Sequence, residues 1–260
     1  MSNRQSRVVL LGALLGALVA GVSLAHAQRG FRRQSADLVI TDTPYDGRFQ
    51  FARLKFETAP GGFYYIGLPA WAHGYPRGEN NLARILKEIS RMPLLHLEAS
   101  NVIALDDPAL GKYPVAYMAD PDYWTMSDPE ATALRGYLLK GGFVIFDDFR
   151  DDSRNGMTAW ATFEQQMKRI IPNARFFDLD PSFPIFHSFF EINTFNIIPQ
   201  AYDKNRAILR GLFEDNDPKK RVLAMINFNT DISDFWEFAN NGFYLVSQHN
   251  EAYKLGVNYV

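Results

Sequence analysis

The chain contains no cysteine in 260 residues. That absence excludes disulfides, a lipid-modified N-terminal cysteine and every mechanism that needs a thiolate nucleophile. Several site signatures are missing as well. There is no GxGxxG and no GxxxxGK[ST], so dinucleotide and ATP binding find no support. No GxSxG surrounds a serine, which disfavours a nucleophile elbow at Ser153 or Ser188, and no histidine pair has HExxH spacing. Positive charge is not in excess: the formal net charge is −2, so nucleic acid is not an expected partner. The one basic cluster, "RGFRR" at Arg29–Arg33, reads as a solvated lead-in. No internal repeat and no second composition regime divides the chain.

What is present is ordinary globular material, 47% hydrophobic and 22% charged, enough for one sizeable core without disulfides. Aromatic residues reach 14%, with 21 Phe, and Phe belongs mostly inside. The N-terminus reads as a targeting signal. Arg4 and Arg7 precede an apolar run from Val8 to Leu24, and Ala25-His26-Ala27 offers small residues at a leader-peptidase site. Cleavage there gives a mature chain from Gln28 with 25 basic and 29 acidic residues, a net charge of −4. No Arg-Arg pair marks a twin-arginine signal, so the expectation is a periplasmic or secreted protein using the general secretory route. The alternative is an uncleaved anchor, although the run is short and is interrupted by Gly12, Gly16 and Gly21. With the leader removed, no stable membrane span is expected.

Residues 28–47 are polar and read as a flexible linker, leaving 48–260 as a single α/β domain. In "FQFARLKFET", Ala52, Leu54 and Phe56 share one strand face and Arg53 and Lys55 the other, a pattern suited to an edge. "NNLARILKEISRMP" predicts a helix capped by Asn80 or Asn81, with Leu82, Ile85, Leu86 and Ile89 buried and a stop at Pro93. "YPVAYMAD" is a strand closing on Asp120. Ser127 and Glu130 have capping-box spacing, Gly141 suits the left-handed position after the helix, and "FVIFDD" follows as a buried strand. "TAWATFEQQMKRIIP" is a further helix, "ARFFDLD" a strand, "PSFPIFHSFFEI" an irregular packed segment and "RVLAMINFN" the last clear strand. A helix is predicted from Asn250. Strands alternating with helices imply a three-layer α/β sandwich with a mostly parallel central sheet.

Six blocks in order, "WAHGYPRGENNLARILKEI", "YPVAYMAD", "LLKGGFVIFDDF", "FPIFHSFFEI", "DISDFWEF" and "NEAYKLGVNYV", resemble the domain of unknown function 4159 family over about residues 48–260. The resemblance implies a flavodoxin-like sheet of the class I glutamine amidotransferase-like kind and no settled reaction. Where relatives carry an acid before the Tyr-Pro pair, this chain has His73-Gly74. Amidotransferases of that class need a cysteine after a sheet strand, so glutamine hydrolysis by that route is excluded here.

Open α/β sheets bind ligands beyond the carboxyl ends of their strands. Asp120, Asp147, Asp148 and the 227–231 stretch fall at such ends. Successive strand residues point to opposite faces, so one of Asp147 and Asp148 is expected to bond loop amides and the other, Asp148, to face the crevice. His187 reads either as a satisfied core histidine or as a general base near Asp148, which makes Asp148 and His187 the catalytic candidates. His73 and Tyr75, in a Gly- and Pro-rich loop, suit a binding lid. With Asp147, Asn229, Asp234 and Trp236 they form the candidate ligand-binding set. Asp231 and Glu237 are candidate oxygen ligands for a divalent metal, although their spacing does not match a calcium loop. The competing reading has Asp231 or Ser233 capping a short helix. Three functions stay open: a non-catalytic module binding a small molecule or an envelope protein partner, a carboxylate/His- or metal-dependent hydrolase acting on cell-envelope sugar or peptide, and a structural subunit of an envelope assembly.

Overall fold

The computed structural model describes residues 40, 42–64, 67–92, 101–150, 153–154, 157–196, 198 and 205–260. The leader, most of the 28–47 stretch, His96 and the stop at Pro93 lie outside the described residues. The chain divides into two compact units, residues 1–38 with 64–68 and residues 39–63 with 69–260. The first contributes few described residues. The sheet, its helices and every candidate site residue belong to the second. Among the described residues no helix is long and apolar enough to cross a membrane.

The main strands are β1 (Ala52–Lys55), β2 (Asn101–Ala104), β3 (Val115–Ala119), β4 (Phe143–Phe149), β5 (Phe176–Asp178), β6 (Ile208–Phe213) and β7 (Val222–Phe228). They form one seven-stranded sheet in the order β5-β6-β7-β4-β3-β1-β2. The pairs β2–β1, β1–β3, β3–β4 and β4–β7 are parallel, while β6 runs antiparallel to both of its neighbours. The parallel part therefore has the doubly wound flavodoxin-like order 2-1-3-4-5, whose switch point lies between β1 and β3.

The helices are α1 (Arg77–Ile89), α2 (Asp128–Leu139), α3 (Ala159–Ile170), α4 (Ile232–Glu237) and α5 (Val246–Tyr259). On one face Leu82 and Leu86 of α1, Phe235 and Trp236 of α4, and Ala252 and Leu255 of α5 pack against Tyr117, Ile145 and Met225 of the sheet. On the other face Phe163 of α3 stacks on Trp124 and meets Phe146 and Phe149 edge-on or tilted. Two helix layers thus enclose the sheet, as expected for the sandwich. The capping box forms: the Ser127 N–H donates to Glu130 Oε2 at 2.7 Å and the Glu130 N–H to Ser127 Oγ at 3.4 Å. Gly141 takes φ +121°, which only glycine tolerates at low cost.

Several local expectations differ from the structure. β1 is no edge strand; it lies between β3 and β2, and Arg53 is wholly buried. In this central strand Arg53 lies on a covered stretch while Lys55, at the strand's end, is exposed, so alternation holds for Lys55 and misassigned Arg53. α1 begins at Arg77, ahead of the predicted cap, and Asn81 instead donates to the Trp236 carbonyl at 2.9 Å from a buried position. Ile89, predicted in the buried stripe, is exposed in the last turn. α5 starts at Val246 rather than Asn250.

Candidate functional site

β3, β4 and β7 run parallel, so their carboxyl ends share one rim, and three non-glycine residues there adopt the left-handed conformation: Asp120 (φ 47°), Asp148 (φ 62°) and Asn229 (φ 59°). Asp and Asn tolerate that region better than other L-residues, yet three at adjacent strand ends is an uncommon concentration. Backbone bonds hold two of the three: the Asp120 N–H donates to the Asp147 carbonyl at 3.2 Å and the Asn229 N–H to the Phe149 carbonyl at 2.9 Å.

The pairing of β4 with β7 shows why Asp147 and Asp148 part company. Ile226 pairs with Phe146, and Phe228 with Phe149, so β4 fits one more residue than β7 into that interval. This is a β-bulge, a device that re-aims a side chain at a strand end. Asp147 keeps the orientation of Ile145 and turns into the layer of α1, α4 and α5. There Oδ2 accepts from Tyr117 Oη at 2.5 Å and the Ser233 N–H at 3.1 Å, while Oδ1 accepts from Asn227 Nδ2 at 3.0 Å and the Ile232 N–H at 3.3 Å. Asp147 is thus the tie between β3, β4, β7 and the start of α4. Burial and the nearby Asp231 push it up to about 7, against the pull of its donors.

Asp148 instead occupies the bulge and meets His73, whose Nδ1 is hydrogen-bonded to Asp148 Oδ2. The same nitrogen lies 3.4 Å from Asp120 Oδ2. Asp231 completes the group: one ligand-type atom from each of His73, Asp148 and Asp231 lies within 4.8 Å of the others. Asp231 also caps α4, its Oδ1 accepting from the Asp234 N–H and from Ser233 Oγ, both at 2.9 Å. The His73 side chain is 30% exposed, that of Asp148 only 5%.

Electrostatics follow from packing acids together away from water. Burial raises the Asp148 carboxyl well above its usual range, Asp120 and Asp231 raise it further, and His73 opposes them. Asp120 is raised by burial and Asp231 against the pull of His73. For His73 burial favours the neutral ring, but attraction to Asp148 and the bond to Asp120 outweigh it and raise the imidazole well above 6.5. Three carboxyls thus crowd one imidazole, with Arg150 also drawing on Asp120, and a bound cation would ease the repulsion among the acids.

Around this centre Asp234 is bonded by Tyr244 Oη and is pushed to about 7, first by burial and then by Asp231. Glu237 sits 3.6 Å from Arg77 Nη1 and is raised chiefly by burial. Gly74, at φ +68°, carries the His73 loop past α4; a Cβ there would lie 3.3 Å from Glu237 Oε2. Gly74→Ala is therefore expected to cost about 1–2 kcal/mol from the left-handed backbone alone, measured by urea unfolding.

The other candidates fall elsewhere. His187 is engaged at both ring nitrogens, by Glu191 at 2.5 Å and the Pro181 carbonyl at 2.7 Å, so the imidazole that meets Asp148 is that of His73. Trp236 is core, 1% exposed, with its indole N–H on the Ala252 carbonyl at 2.9 Å. Tyr75 is buried beside Arg53, whose guanidinium carbon is 5.8 Å from its ring centre. Asn229 is buried at the tip of β7. Arg53, which the sequence places only on the polar face of its strand, is instead buried against the His73 loop and donates to the His73 carbonyl at 2.9 Å.

The chain matches the family described as Domain of unknown function (DUF4159) over residues 50–260 and belongs to it. No curated protein matches the chain.

Proposed function

We propose that this chain is an exported domain that binds a divalent cation through His73 Nδ1 and the carboxylates of Asp148 and Asp231, and that the cation is where its ligand engages. One observation carries this reading: a nitrogen and two carboxylate oxygens, brought from three distant chain segments, converge within 4.8 Å at the strand tips. A mixed imidazole–carboxylate set suits Zn²⁺ or Mn²⁺ better than the all-oxygen preferences of Mg²⁺ and Ca²⁺. The basic start, the apolar run and Ala25-His26-Ala27 support export by the general secretory route. The strand order supports kinship with class I glutamine amidotransferase-like domains, with the cysteine-dependent chemistry gone.

A second reading, hydrolysis of a cell-envelope sugar or peptide, is favoured by Asp120. Its carboxyl, with the proton affinity raised, stands beside His73 and is less buried than Asp148, so it can accept or deliver a proton next to the cation. Calorimetric titration of the purified chain with Zn²⁺, Mn²⁺, Mg²⁺ and Ca²⁺ tests the primary reading. The expected result is one equivalent of Zn²⁺ or Mn²⁺ bound, weakened at least about 100-fold by His73→Ala and by Asp148→Asn. Heat-silent titrations with all four ions sink it. Release of sugar or peptide products by the loaded protein, abolished by Asp120→Asn, selects the hydrolytic reading.

A further inference from the structure

We propose that Arg53 is the positioning residue of this centre, fixing His73 over the strand tips by holding the backbone of its loop. The inference rests on reading the rim as a cation site, but its geometry stands separately.

Arg53 lies in β1, next to the switch point, and its side chain is fully buried. Its Nη1 donates to the carbonyl of His73 at 2.9 Å and to that of Trp71 at 3.0 Å. Its Nε donates to Glu79 Oε1 at 2.5 Å, in the first turn of α1. The guanidinium carbon stands 4.7 Å from the ring centre of Tyr117, whose hydroxyl holds Asp147. One planar group therefore ties together the strand before the loop, two carbonyls inside it, the helix after it and the ring that anchors the neighbouring acid. One of those carbonyls belongs to His73 itself.

Stability alone is a weak reason for this arrangement. A buried ion pair is often no better than well-packed apolar residues, so its retention calls for another role. The role that fits is orientation. The loop must deliver an imidazole to a rim crowded with acids, and Gly74 turns the chain immediately afterwards against Glu237 and Ser233. Lysine could not reproduce it: a single ammonium on a flexible stem lacks the planar fork that serves two carbonyls and a carboxylate together.

The test uses the full chain carrying Arg53→Lys and, separately, the charge-free pair Arg53→Met with Glu79→Leu, which leaves no lone buried charge if Arg53→Lys fails to fold. Two quantities are read. The first needs no metal: the NMR resonance of the His73 Nδ1 proton, which the bond to Asp148 is expected to protect and shift downfield in the unaltered chain. The second is affinity for Zn²⁺ by calorimetry. The expected result, in whichever variant folds, is a circular dichroism spectrum like that of the unaltered chain, loss of the protected resonance and affinity at least about 10-fold weaker, the scale of a supporting contact. A folded variant that keeps the resonance overturns the positioning role. Should the unaltered chain bind no Zn²⁺, the cation reading fails, and the resonance alone still decides whether Arg53 places His73.

Discussion

Asp147→Ala is expected to lower folding stability by about 3–5 kcal/mol, while Asp148→Asn, one residue along, is expected to leave it unchanged or raise it. The contrast follows from what each carboxylate touches. Asp147 is fully buried and receives four hydrogen bonds, from Tyr117, Asn227 and the backbone of Ile232 and Ser233. Truncation strands those donors in the core, each at a cost of about 1–3 kcal/mol before relaxation, and unties α4 from the sheet. Asp148 has the opposite account. Burial, Asp120 and Asp231 all disfavour its charge, against the pull of His73. An amide of the same size removes the repulsion. Urea unfolding at pH 7 measures both variants, and calorimetry completes the pair: Asp148→Asn folds and binds the cation at least about 100-fold more weakly. Equal destabilisation by the two substitutions would make Asp148 a structural carboxylate and remove the basis for treating it as a ligand.

The second large effect is the dependence of stability on pH. Without a cation, the chain is expected to lose several kcal/mol as pH rises from about 4 to about 8. Asp147 and Asp234 are each raised to about 7 in the folded state. Between the unfolded carboxyl value, about 4, and the folded value, the folded state therefore holds protons that the unfolded chain has released. Stability then falls with rising pH, being complete below the unfolded value and lost through the folded one. A rise from the unfolded value to about 7 corresponds to about 4 kcal/mol for a single group. The two groups both feel Asp231, so their effects are not simply additive. Asp148 and Asp120 are raised in the same direction, and His73, raised above 6.5, loses its contribution at still higher pH. A cation offsets the repulsion. At 100 times its dissociation constant it adds about 2.7 kcal/mol, so the melting temperature at pH 8 should recover with Zn²⁺ or Mn²⁺ and the slope should flatten. A cation-free melting temperature that climbs steadily from pH 4 to 8 would contradict this balance of charge.

Much of the frame was legible because it depends on neighbours in the chain. The capping box at Ser127 and Glu130, the stop at Gly141 and the apolar strand that follows are local signals, and all form. The parallel alternation of strand and helix put Asp120, Asp148 and Asp231 on one rim. β6 escaped notice because Arg210 and Gly211 interrupt its apolar run. In the fold Arg210 stacks 3.9 Å from the centre of Trp160, and a Cβ on Gly211 would strike the ring of Phe213 at 2.6 Å. Neither reason is visible in six residues read alone. The bulge that separates Asp147 from Asp148 was equally hidden, since it depends on how β4 registers with β7.

The candidate site was harder still. His73 meets Asp148 across 75 positions of sequence, whereas His187 lies closer to it along the chain yet bonds Glu191 and the Pro181 carbonyl. Periodicity does not choose between two distant imidazoles. Arg53 offered one overlooked clue. A charged residue in a strand buried on both sides requires a buried partner, and Glu79, in the first turn of the helix that follows, supplies it.

Anomalous diffraction at the zinc edge, from crystals of the protein grown with Zn²⁺, tests the cation centre most directly. The expected map has one strong peak at the strand tips, with His73 Nδ1 and a carboxylate oxygen from each of Asp148 and Asp231 at about 2.0–2.2 Å. A map with no peak there, and His73 still hydrogen-bonded to Asp148, would contradict the assignment.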